Sequence, residues 1–530
     1  MSTLTGTGPL VRLALRRDRV VLPVWIAVFA LVAAFAAAAT ASLYPDAATR
    51  VEAAAAINAA PSLVALYGPL HDPTSLGALA LWKLGGFGAV LVAVLAVLTV
   101  VRHTRGDESA GRRELVGSTA VGRGAALAAA LAVGWGASVT LGAATALGLA
   151  AAGLPVAGSV AFGAAWAGAG VVFAAVGGVA AQLARSARAA RGLAILVLGA
   201  AFVLRAAGDV TGPGWLTWLS PIGWAQETRP YAGERWWVPA LSVAAALALA
   251  VVAHLLDARR DLGAGLLADR PGPGAAAAGL RSPLALAARL HRGVLAAWTV
   301  GFLLIGALLG SVASAADELL AGPRMREVLR ALGGEQGLTD AFLAAEFGVL
   351  AVLASAFVVQ AALRLHAEER ARRVDLVLSA PVGRVRLAAG HVAAAAGGAV
   401  VLLVAAGAGA GLGHGLQTGA VGAELPRLVG AALGQLPAVW VVGGLTVALI
   451  GLAPRAAAAA WPALVAFLLI GELGPLLRLP SWVLDLSPFT HLPRWPGPVQ
   501  DPVTPLLWTT VVAAALTAAG LAGWRRRDLQ

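Results

Sequence analysis

The sequence contains no cysteine among its 530 residues, so disulfides, thiolate metal sites and cysteine nucleophiles are excluded in any compartment. Lysine occurs once, at Lys83, and Leu84 follows it. A phosphate-binding P-loop needs Gly-Lys-Ser/Thr after a glycine-rich turn, so the chain cannot carry that nucleotide site itself. Any ATP hydrolysis must come from a partner. The eight histidines are scattered, with no His-Glu-x-x-His spacing, which argues against a zinc enzyme. Charge is also scarce: 12% of residues are Asp, Glu, Lys or Arg, against about a quarter in soluble domains.

Apolar residues are abundant, at 59% of the chain, a composition that belongs to an integral membrane protein. A bilayer's hydrocarbon core takes about 20 apolar residues per helix. Runs of that kind, bounded by charge, proline or polar turns, lie at roughly 20–43, 78–101, 124–151, 156–183, 190–208 and 237–256. A second set lies at roughly 294–316, 341–365, 386–413, 430–453, 457–476 and 504–524. The fold expected is an all-α polytopic membrane protein of about 12 transmembrane helices. The formal net charge of +12 could point to nucleic acid, but the arginines form short clusters between apolar runs instead of covering one soluble face. They imply a lipid bilayer as the partner, and no nucleic acid.

Those clusters precede the first span (Arg12, Arg16, Arg17, Arg19) and follow the second (Arg102, Arg105, Arg112, Arg113, Arg123), then recur after the fourth, sixth, eighth, tenth and twelfth. With twelve spans all of them fall on one side. Cytoplasmic loops hold the excess of positive charge, which predicts a multi-pass cell-membrane protein with both termini cytoplasmic. The opposite loops are acidic or mixed, or rich in interfacial tryptophan, as at Trp215, Trp218, Trp224, Trp236 and Trp237.

The chain also repeats itself. "RRELVGSTAVGR" at 112–123 and "RVDLVLSAPVGR" at 373–384 align without a gap, with seven of twelve positions identical and Glu114 opposite Asp375. "LRRDRVVLPVW" (15–25) aligns with "ARLHRGVLAAW" (288–298), "WLTWLSP" (215–221) with "WVLDLSP" (482–488), and "RRDL" at 259–262 with "RRDL" at 526–529. The organisation expected is a first half, 1–262, with an N-terminal amphipathic helix and a basic segment at 105–123. A cytoplasmic linker at 263–283 follows, and then a second half, 284–530, with its own basic segment at 366–384. Six spans per half is an even number, so the two six-helix repeats are parallel, related by an axis along the membrane normal. Such a pair encloses a central path, a geometry that suits a transporter.

The basic segment before each half, the Leu-Val and Ser-x-x-Val-Gly-Arg loop after each second span, and the Leu-Ser-Pro turn with flanking tryptophans before each sixth span together resemble a known family. It is the permease subunit of type-2 ABC exporters, in particular the fused twelve-span actinobacterial form grouped with polyketide-antibiotic and multidrug exporters. "LSPIGW" at 219–224 follows the family's turn, whereas "LSPFTH" at 486–491 departs from it after the proline. The resemblance implies that the segment after each second span is a coupling helix received by a separate ATP-binding cassette subunit. Two copies of that subunit would hold ATP and Mg, while this chain carries no cofactor, metal or catalytic residue. Carried over, Glu108, Arg112, Glu114, Leu115 and Arg123 in one half, and Glu369, Arg373, Asp375, Leu376 and Arg384 in the other, would contact those subunits through paired ions around an apolar anchor. The plainer alternative is a solvated loop whose arginines only set topology.

Ionisable residues within apolar runs are costly enough to be functional candidates. Arg205 and Glu472 occupy equivalent positions in the two halves, and are expected to approach across the central path as a pair that lines or gates it, or else to snorkel to the interface. Lys83 and Glu346 sit at similar depths in the second and eighth spans, near their ends, where snorkelling competes with a place on the substrate path. The charged, amphipathic stretch 319–338 reads as an external helix or lid. The function expected is that of a permease, not an enzyme, which moves hydrophobic or amphipathic small molecules outward by alternating access, powered by the partner ATPase. A proton-coupled secondary drug transporter, titrating Glu346 or Glu472, is the alternative. It leaves the duplicated coupling segments without a purpose.

Overall fold

The computed structural model describes residues 3–59, 61–211, 214–267, 274–319, 336–473, 480–497, 501 and 503–527. Every regular element among them is helical, and twelve of these helices are long and apolar enough to cross a membrane. In lipid every backbone polar group must be satisfied within the segment, and a helix does this alone. The chain is thus an all-α polytopic membrane protein. It divides into two compact units, Met1–Gly272 and Pro273–Gln530.

In the first unit an amphipathic helix, Thr7–Arg17, precedes six spans: Val21–Leu43, Leu76–Val101, Ala125–Ala151, Val156–Leu183, Ala187–Thr211 and Trp237–Ala258. Its core is alanine-rich with a few large anchors, Phe29, Phe162, Trp166 and Phe173, and Trp166 meets Phe29 edge-on at 5.5 Å. Glycines set the spacing. A Cβ on Gly142 or Gly163 would run into the other's carbonyl, so the third and fourth spans touch backbone to backbone, as small residues allow in membranes. Between the first and second spans lie two helices the sequence reading did not foresee, Ala47–Ala59 and Pro61–Tyr67. Asn58 fastens them by bonding Leu70 in both directions, its amide donating to Leu70 O and its carbonyl accepting from Leu70 N, each at 2.9 Å. Before the sixth span, Ser220 caps the short helix Pro221–Glu227 by accepting from Ile222 N and Gly223 N, with Pro221 at the first turn, where its missing N–H costs nothing.

The second unit contains Pro283–Leu319, Gln336–Arg370, Arg384–Thr418, the pair Val421–Leu433 and Leu436–Leu452, then Ala460–Leu473 and Val503–Arg526. Three departures from expectation have physical causes. The tenth span was placed at 430–453, yet helix begins at Val421. Glu424, Pro426 and Arg427 lie ahead of the expected span, but Arg427 donates to Glu424 and to Asp340, each at 2.8 Å, and bridges the two carboxylates. The seventh span begins at Pro283 and absorbs its amphipathic segment into one 37-residue helix. In the first unit the same junction breaks at Asp18, which turns inward (2% exposed) and pairs with Arg102 at 2.7 Å and His103 at 2.6 Å. The register puts His291 there in the second unit. Finally, the start of the expected linker is not free: Leu266 and Leu267 donate to Gln182 O and Leu183 O at 3.2 and 3.0 Å. Residues 268–273 of that linker, and 320–335 of the expected external helix, lie outside the described residues.

Candidate functional site: the paired basic-end segments

In the first unit the second-span helix runs past Val101 through a π turn, Arg102–Gly106, to Ser109. Gly111 then adopts φ +71° and the chain forms a new six-residue helix, Arg112–Gly117. In the second unit the eighth-span helix runs to Arg370, Arg372 adopts φ +54°, and a six-residue helix, Arg373–Leu378, follows. The two corners fall at the same place in the aligned repeat. A left-handed residue is cheap as glycine and strained as arginine, and both reverse the chain identically. The same ion pair braces each corner: Arg112 on Asp107 at 2.8 Å, and Arg373 on Glu368 at 2.5 Å. The hydrogen bond to Glu368 holds the Arg373 guanidinium above its ordinary pKa.

Beyond the corner each short helix turns an apolar side chain to the outside. Leu115 is 75% exposed and Leu376 76%, beside exposed Glu114 and Asp375. A single exposed leucine is ordinary. Two at the same point of a repeat, each on a six-residue helix that buries almost nothing else, have the character of a contact surface.

Behind the exposed face lies an internal root in which one carboxylate–arginine pair recurs in both units. The sequence reading placed Glu108 and Glu369 on the contact surface; the structure buries them instead. Glu108 accepts from Arg260 at 2.8 and 3.1 Å, from Arg105 at 3.2 Å and from the Gly263 backbone N–H at 2.6 Å. Glu369, 5% exposed, accepts from Arg527 at 2.6 Å. Arg260 and Arg527 end the sixth and twelfth spans and match in the "RRDL" alignment. Arg123 and Arg384 complete the root, donating to Arg260 O at 2.6 Å and Arg527 O at 3.2 Å. Each segment is therefore tied at its start by a buried carboxylate, and at its end by an arginine, to the last span of its own unit. Asp107, Glu368, Arg260 and Arg527 were missed in the sequence. The one signal that could have found them is that each acid and each arginine recurs at its repeat-equivalent position.

Among the charges within spans, Arg205 is placed differently from expectation. Arg205 is fully buried and donates to Ala65 O and Leu66 O at 2.8 and 2.9 Å. Its ion partner is Asp209, one turn on, at 3.4 Å, and Asp209 also accepts from Thr217 at 3.0 Å. Arg205 thus clamps the Pro61–Tyr67 helix to the fifth span within the first unit. The carboxylate expected from Glu472 is supplied there by Asp209, and the Glu472 side chain lies outside the described residues. Lys83 is exposed, with Nζ 6.0 Å from the Tyr67 ring centre. Glu346 is half-buried on the eighth span. Its neighbours Ala344, Ala345 and Gly348 border a cavity of about 750 Å³ that also reaches Phe467, Phe489 and Arg494.

Twelve helices long and apolar enough to cross a membrane among the described residues, in two repeated sets, define the class of polytopic membrane proteins. A family model described as "Multidrug efflux system permease Rv1217c, C-terminal domain" matches residues 8–256 and 280–525. The chain is also similar to the multidrug efflux system permease protein Rv1217c of Mycobacterium tuberculosis, at 48% identity over 531 residues, covering 100% of this chain and 96% of that protein. The chain belongs to this family of multidrug efflux permeases.

Proposed function

We propose that this protein is the membrane subunit of an ATP-driven exporter of hydrophobic or amphipathic drug-like compounds. It would reside in the cell membrane with both termini in the cytoplasm, and two copies of a separate ATP-binding cassette subunit would drive it by alternating access. The observation that carries this reading is the duplicated segment with its root. A loop that only set topology would need arginines and nothing more, whereas each half offers an exposed leucine on a braced short helix joined to the ends of two spans. A push on Leu115 or Leu376 would travel through the Glu108–Arg260 or Glu369–Arg527 pair into the last span of that half. ATP and Mg belong to the partner subunit, and this chain supplies the anchor and the linkage. Efflux of drugs by the family supports the substrate class, as does the apolar lining of the spans.

The test is association. Leu115→Arg together with Leu376→Arg should abolish co-purification with an ATP-binding cassette subunit co-expressed from the same organism, with thermal stability in detergent unchanged because both side chains are exposed. Drug export that continues after ATP depletion and stops when the proton gradient is collapsed would overturn the proposal in favour of a proton-coupled carrier.

A further inference from the structure

At the ends of its spans opposite the basic segment, the second unit encloses a cavity of about 750 Å³. Its walls come from the eighth span, through Ala344, Ala345 and Gly348, from the eleventh, through Phe467, and from the turn that leads to the twelfth, through Phe489. The sequence shows why the eighth span leaves room. In the register of the two basic segments, Ala344, Ala345 and Gly348 stand where the second span carries Lys83, Leu84 and Phe87. A Cβ on Gly348 would meet nothing within 4 Å. A volume of this order is that of a pocket for a drug-sized ligand, roughly 300–1,000 Å³, and such pockets are mainly apolar with a few placed polar groups.

Gln435 is such a group. It stands at the break between Val421–Leu433 and Leu436–Leu452, lines the cavity and is 5% exposed. Its backbone is satisfied, the N–H donating to Ala432 O at 3.1 Å and the carbonyl accepting from Val439 N at 3.4 Å. Its side-chain amide makes no hydrogen bond among the described residues. A buried amide left without partners is costly and in native structures calls for them, and breaks in membrane helices are where transporters repeatedly place their ligands. The mouth of the cavity carries Asp485 and Arg494, both exposed. One charge of each sign favours neither a cation nor an anion.

We propose that this cavity binds a neutral, mainly apolar molecule of drug size that carries a carboxamide or an equivalent paired donor and acceptor. The apolar body lies against Phe467, Phe489 and the small residues of the eighth span, and the carboxamide exchanges hydrogen bonds with the Gln435 amide, which offers both a donor and an acceptor. Such binding requires neither ATP nor a partner subunit, so it stands or falls apart from the exporter reading.

The chain has no cysteine, so a thiol placed on the wall reports occupancy without background. Ala345 is exposed on that wall, and Ala345→Cys in the purified full chain, held in lipid nanodiscs, is to be modified with N-ethylmaleimide. Carbamazepine, a neutral tricycle with a carboxamide, is the probe, and 5-methyldibenzazepine, the same ring system without the carboxamide, is the control. Carbamazepine should slow the modification saturably, while Leu115→Cys on the basic segment reacts at an unchanged rate. The control should need about tenfold more for the same protection, the size of one lost hydrogen bond. Gln435→Leu should raise the half-protecting concentration of carbamazepine about tenfold and leave that of the control unchanged. Gly348→Phe should fill the space and abolish protection by both compounds, with the melting temperature of the wild type. No protection, equal protection by the two compounds, or carbamazepine protection undiminished in Gln435→Leu would each overturn the proposal, and the comparison of the two compounds needs no change at Gln435.

Discussion

Glu108 sits among three arginines, with Arg260 at 2.8 Å, Arg105 at 3.2 Å and Arg113 at 3.6 Å, and Arg105 and Arg260 are 1% and 5% exposed. Removing one member of a buried ionic group strands the others, at about 3–5 kcal/mol. Glu369 anchors chiefly Arg527, whose side chain is 17% exposed, so water can take over part of its role. Glu108→Ala should therefore cost about 3 kcal/mol and Glu369→Ala about 1–2 kcal/mol, read as thermal unfolding in detergent; equal losses would contradict the account. His71 gives a pH signature. Burial holds it below the ordinary histidine value, and the nearby Arg229 and Arg235 guanidiniums push the same way against Glu227. The folded state then refuses a proton that the unfolded chain accepts near pH 6.5. Stability is complete above that pH and falls as pH drops towards the lowered folded value. His71→Gln should flatten the difference in melting temperature between pH 7 and pH 5.

At the scale of elements, the corners of the two short helices offer a matched experiment. Gly111 and Arg372 adopt the same left-handed conformation, but only arginine strains to do so. Arg372→Gly should stabilise by about 0.5–1 kcal/mol, and Gly111→Val should destabilise by about 1–2 kcal/mol, both measured as shifts in the melting temperature. The spans were legible in the sequence because about 20 apolar residues between charges have few other uses, and the repeat exposed the short helices. Helix 421–433 was hidden because Arg427 and Glu424 look solvated until Asp340, 87 residues earlier in the chain, is seen to complete the group. The helices at 47–67 were hidden because an alanine-rich run outside a span carries no periodic pattern to read. The buried roles of Glu108 and Glu369 were illegible for a like reason: their partners lie 152 and 158 residues away, and charge next to a basic loop reads as surface.

The whole molecule is a duplication whose copies have drifted. The first basic segment is additionally fastened by the N-terminus, where Gly122 N and Gly124 N donate to Thr5 O and Thr3 O at 2.9 and 3.0 Å and Arg17 donates to Asp107 at 2.7 Å. Deleting residues 1–17 should speed amide hydrogen exchange at 112–117 and leave 373–378 unchanged; equal acceleration of both would refute the independent fastening. The copies differ equally at the far end, where Pro221–Glu227 is α-helix and Pro488–His491 only a 3₁₀ turn, a difference foreshadowed where "LSPFTH" departs from "LSPIGW". The long helix Pro283–Leu319, with 37 residues, spans about 55 Å, well beyond the roughly 30 Å of hydrocarbon it must cross. Its overhang is a lever arm. If force enters at the basic ends, as the proposed exporter requires, the seventh span would transmit it as a rod, whereas the break at Asp18 would give the first unit a joint that yields by bending.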